Sequence, residues 1–102
     1  PWLAAVARFS CHRMAEFDMQ CIGNVLWSFA AVCVCSIPLF QQACTETAAR
    51  CDAVETDAIL NVAQVVSAIH AARIMDVAFF EAAARCFLRP SSEAGARELL
   101  VL

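Results

Sequence analysis

The sequence predicts an all-α protein, an α-solenoid of about three helical hairpins, on three observations. Of 102 residues, 62% are hydrophobic and 21 are Ala, against 2 Gly and 3 Pro. So much of the best helix former with so few turn residues favours helices over sandwiches or barrels. A unit of 37 residues recurs: Asn24-Val25 as Asn61-Val62, Ile22 as Ile59, Ala31 as Ala68, Trp2-Leu3 as Leu39-Phe40, and Arg13 as Arg50. Self-similarity at this period marks stacked helical repeats. Apolar residues also keep helical spacing, as in Ile59, Val62, Val66 and Ile69.

The expected units are residues 1–37, 38–77 and 78–102, the last truncated, within one segment of a longer array. The first helix is predicted over Trp2 to Arg13. The second runs from Asp18 to Val34, with Asp18 as cap and acidic start. The third runs from Pro38 to Cys51, with Pro in the first turn, where its missing N–H costs nothing. The fourth spans Thr56 to Ala72, capped by Thr56 or Asp57. The fifth spans Asp76 to Leu88, capped by Asp76. Arg89-Pro90-Ser91-Ser92 ends it and opens a sixth, with a serine as cap and Glu93 in its first turn. Short links suit antiparallel neighbours. A hairpin alone leaves an apolar face open, and stacking covers it.

Composition also excludes. A charged fraction of 17% with this hydrophobicity is not that of a disordered chain, and a net charge of −3 is not that of a strongly basic nucleic-acid binder. The seven cysteines are odd in number, and Cys11, Cys21 and Cys35 stand where the repeat puts Ala48, Ala58 and Ala72. They read as small, reduced packing residues in a reducing interior. Met19 to Thr45 is uncharged and long enough to span a bilayer. Its scattered Gln, Asn and Ser, and Pro38, read instead as two buried helices, with a membrane fragment the weakest alternative. Catalysis, cofactor and metal are not expected. There is no Lys and no phosphate-loop, nucleophile-elbow or zinc-protease motif. Cys11-His12 are helix neighbours pointing apart. Cys33, Cys35, Cys44 and His70 lie in apolar helices and not in the loop-borne pairs that zinc favours.

One stretch is more specific. Pro1-Trp-Leu-Ala-Ala-Val-Ala-Arg8, then Met14-Ala-Glu-Phe17, then Met19 to Val32 with Phe17, Gln20, Ile22, Gly23, Asn24, Leu26, Trp27, Ser28, Phe29 and Ala30 in place, resembles the octotricopeptide repeat. The same pattern appears in the helical region of FAST-kinase-like and RAP-domain proteins. The match covers about the first 35 residues. The second unit keeps Asn61 and the apolar stripe but has Ala63 and Gln64 at the Leu26 and Trp27 places. The resemblance implies an α-solenoid that binds single-stranded RNA in mitochondria or plastids and acts in transcript maturation, stability or translation. A protein–protein scaffold of HEAT or armadillo type is the alternative for the same architecture.

Arg13, Arg50 and Arg89 close successive odd-numbered helices. As a ladder they suit RNA phosphates; as cations at helix ends they offset the dipole. Leu26 and Trp27 sit in an apolar helix, which predicts that the indole packs between helices; stacking on bases is the functional alternative. Asn24 and Asn61 are poor helix formers in helix interiors. Buried bonding to a neighbouring backbone is the structural account, and a nucleotide contact the functional one.

Overall fold

A computed structural model describes residues 2–53 and 56–88, and the chain is all-helical there. Helix α1 (Trp2–Arg13) leads through a 3-10 turn, Met14–Glu16, into α2 (Met19–Ala31). Helix α3 (Ile37–Arg50) is followed by a 3-10 turn, Thr56–Ala58, and α4 (Ile59–Ala71); α5 is Val77–Leu88. The expected sixth helix and Arg89 lie outside the described residues.

The helix starts follow from side-chain caps. Asp18 Oδ1 accepts from the Cys21 N–H at 2.8 Å, and Asp76 Oδ1 from the Phe79 N–H at 3.0 Å. Each satisfies a donor that the first turn leaves unpaired. Helix α4 departs from expectation: it is entered through the 3-10 turn, and Ala58, without a capping side chain, holds its cap position.

Helices α2 and α4 end alike, and earlier than their apolar runs suggest. The Cys33 N–H returns to the Ala30 carbonyl and the Val34 N–H to the Phe29 carbonyl; Arg73 and Ile74 do the same to His70 and Ile69. This is the Schellman closure, which needs a left-handed residue. Cys33 (φ 59°) and Arg73 (φ 58°) supply it without glycine.

These ends correct the repeat arithmetic. Helices α2 and α4 start and stop 40 residues apart, whereas Arg13 and Arg50, closing α1 and α3, are 37 apart. The link from α3 to α4 carries three more residues than the link from α1 to α2. Asn24 is therefore matched in α4 by Gln64, not by Asn61. The sequence alignment matched Asn24-Val25 to Asn61-Val62 because a shift of three residues nearly preserves a helical face.

Helix α1 packs on α3 and α3 on α5, while α2 packs most extensively on α4. Helix α3 touches all four others. Ile22, Leu26, Leu39, Phe40, Val62, Val65 and Ile69 are fully buried between them, each contributing about 1.5–3 kcal/mol of burial. The uncharged run from Met19 to Thr45 divides between α2 and α3, and no helix among the described residues is long and apolar enough to cross a membrane.

Among the described residues, one buried side-chain group is unsatisfied. Thr47 Oγ1 is sealed in α3 without a hydrogen-bond partner. Thr47→Val keeps the shape and removes the unpaired hydroxyl, so it is expected to raise stability by about 1 kcal/mol. A urea midpoint equal to or below that of the parent would contradict this.

Candidate nucleic-acid interface

Gly23 lets two helices meet closely. It sits mid-helix in α2, where glycine costs about 1 kcal/mol relative to alanine. A Cβ there would stand 2.7 Å from Gln64 Oε1 and 3.1 Å from the Asn61 carbonyl oxygen on α4. The absent side chain is thus what allows the backbones to approach. Beside this contact, Gln64 Nε2 donates to Asn24 Oδ1 at 3.5 Å, joining the two helices by carboxamides.

Trp27 stands one turn beyond Asn24 and is 54% exposed. The expectation that it packs between helices is corrected. The inward stripe of α2 is Met19, Ile22, Gly23, Leu26 and Phe29. Leu26 holds the core position, and Trp27, one residue on, is rotated about 100° away from it. Asn24 is exposed as well: its side chain meets Gln64 and not a buried backbone group. Asn61 is half-buried, with its backbone against Gly23. The resulting strip is Gln20, Asn24 and Trp27, one and two turns apart on α2, with Gln64 on α4: three carboxamides and an indole without charge. Exposure of the indole was not legible from an apolar helix; the polar spacing of Gln20 and Asn24 was the available sign.

The arginines do not form a row of equivalent free cations. Arg50 reaches from α3 into the preceding hairpin. Its Nη1 donates to the Phe17 carbonyl, its Nη2 to the carbonyls of Met14 (3.2 Å) and Ala15 (3.1 Å), and its Nε to Glu46 Oε2 (2.9 Å). It binds backbone carbonyls, as the helix-end account of the arginines has it, but those of the preceding hairpin's turn and not those of its own helix. Arg13 is exposed, 3.7 Å from Glu16 and over the Phe9 ring at 5.0 Å.

None of the seven cysteines is in a disulfide. Burial, reinforced by Asp76, pushes Cys44 up to about 12, and burial with Cys86 nearby pushes Cys51 up to about 11. Both are protonated at neutral pH and are poor nucleophiles or ligands. Cys33 and Cys35 are exposed while Cys44 is buried. Among the described residues no three His, Cys, Asp or Glu side chains are grouped to hold a metal. Comparison with family models, with curated proteins and with solved structures gives no match.

Proposed function

We propose that this chain is a non-catalytic segment of an α-solenoid that binds single-stranded RNA along the α2–α4 surface. The observation that carries the reading is the half-exposed Trp27 beside the Asn24–Gln64 pair. Carboxamides hydrogen-bond to the edges of unpaired bases, and an indole stacks on any base face. Rows formed by α1, α3 and α5 and by α2 and α4 support the stacked-repeat architecture. The resemblance of the first unit to octotricopeptide repeats supports the RNA class and an organellar setting, in mitochondria or plastids.

With Arg50 engaged by carbonyls and a net charge of −3, phosphate contacts among the described residues fall to the exposed Arg8, Arg13, Arg73 and Arg85. Stacking and base-edge contacts then supply most of the affinity. Titration of a fluorescent single-stranded RNA at about 50 mM salt, where phosphate contacts are strongest, tests this. Trp27→Ala is expected to weaken binding about 5- to 150-fold, the loss of one stacked base at about 1–3 kcal/mol. No binding at that salt sinks the reading. It would favour the second one, a protein-binding scaffold of HEAT or armadillo type, for which the engagement of Arg50 within the fold speaks.

A further inference from the structure

We propose that the outer face of α1 and α2 is an interface for another helix pair of the same class, clamped through Arg13. The inference rests on the stacked-repeat reading but not on RNA binding, and it adds the partner's chemistry.

The apolar half of the argument comes from equivalent positions. In α5, which packs on α3 and α4, the residues Phe79, Ala82, Ala83 and Cys86 are buried. The same places in α3 are Leu39, Gln42, Ala43 and Glu46, and in α1 they are Trp2, Ala5, Val6 and Phe9. All four α1 residues are exposed: Trp2 at 73%, Val6 at 39% and Phe9 at 56% among them. Their counterparts in α3 and α5 belong to helices that pack on the preceding helix of the row, whereas no helix among the described residues covers the α1 four. Helix α2 repeats the pattern more weakly, with Ser28 exposed and Val25 half-buried where α4 fully buries Val65 and Ala68. Trp2, Leu3, Val6, Val25 and Val32 line a groove of about 330 Å³ between the helices. This face continues the α1–α3 and α2–α4 interface by one further step.

The polar half is Arg13. It ends α1 as Arg50 ends α3, and each guanidinium is held by the residue one turn earlier. Glu46 holds Arg50 by an ion pair at 2.9 Å, and the Phe9 ring lies 5.0 Å from Arg13. Arg50 grips three carbonyls of the turn in the preceding hairpin. Arg13 is therefore set to grip the same kind of turn. The occupant is a helical hairpin with an apolar flank and an inter-helix turn that presents outward carbonyls, as residues 14–17 do.

The test adds that hairpin in cis. A copy of residues 1–37 is placed before Pro1 of the full chain, so that Ile37-Pro1-Trp2 repeats the Ile37-Pro38-Leu39 junction. One cooperative transition at higher Tm is expected. Arg13→Ala in the original unit should lower that Tm by about 5–10 °C, and by no more than about 2 °C in the unextended chain. Two separate transitions, or an equally small effect of Arg13→Ala in both chains, overturn the proposal. Arg50→Ala is the control: if it leaves the unextended chain unmoved, the stacked-repeat geometry itself fails. Should the extended chain be insoluble, the 37 residues are added as a peptide to the unextended chain. Saturable binding weakened at least about fivefold (about 1 kcal/mol) by Arg13→Ala supports the clamp. No binding at millimolar peptide overturns it.

Discussion

Phe40→Ala is expected to lower stability by about 3–5 kcal/mol, the usual cost of emptying a buried phenylalanine site. Phe40 is fully buried on α3, the helix that touches every other helix of the described chain. A cavity there borders several elements at once, and their helical backbones limit how far the site can collapse. Domains of this size have only about 5–15 kcal/mol in total, so the variant should unfold at much lower urea or be largely unfolded. Phe80, at the same place in α5, is only half-buried and rests edge-on against Phe79 at 5.1 Å. Phe80→Ala should therefore cost less, about 1–2 kcal/mol. Urea unfolding followed by far-ultraviolet circular dichroism separates the two. Equal losses would show that α3 is not the hub of the fold.

The second large effect is expected at Arg50. A surface arginine truncated to alanine normally changes stability by less than about 0.5 kcal/mol. Arg50→Ala should instead cost about 2–4 kcal/mol, because three carbonyls and Glu46 lose a charged partner together. The carbonyls of Met14, Ala15 and Phe17 lie in the 3-10 turn and link that carry the chain from α1 to α2, so the clamp ties α3 to the turn of the preceding hairpin. Arg50→Lys keeps the charge but not the planar fork, and should recover less than half of the loss. Arg13→Ala in the same chain is the comparison, with a change within about 0.5 kcal/mol, since its ion pair is exposed. A small Arg50→Ala effect, matching Arg13→Ala, would mean that the clamp contributes nothing in solution.

The all-helical class was legible from composition, and Asp18 and Asp76 were legible as caps because capping is local chemistry. The bounds read for α1, Trp2 to Arg13, are those observed. Two things were not. The three extra residues between α3 and α4 were hidden because a shift of three keeps apolar residues on nearly the same side, so Asn61 passed for the partner of Asn24. The roles of Trp27 and Arg50 were hidden because both depend on neighbours one unit away. Nothing within α2 reports how far α4 covers it, and nothing near Arg50 announces carbonyls more than thirty residues earlier. The candidate strip was visible only as polar residues, Gln20 and Asn24, in a helix otherwise apolar.

The distribution of thiols turns the chain into its own recorder of opening. Cys33 and Cys35 stand exposed in the link after α2, whereas Cys44, Cys51 and Cys86 are sealed in and behind α3 and α5. An alkylating reagent meets the first two at once and the other three only when the helices part. The rate at which each buried sulfur is modified thus measures how often its own helix opens, a free energy that varies along a chain from near zero to that of global unfolding. Cys44 and Cys86 lie on different helices of one row, so their rates report whether α3 and α5 open together or α5 peels away first.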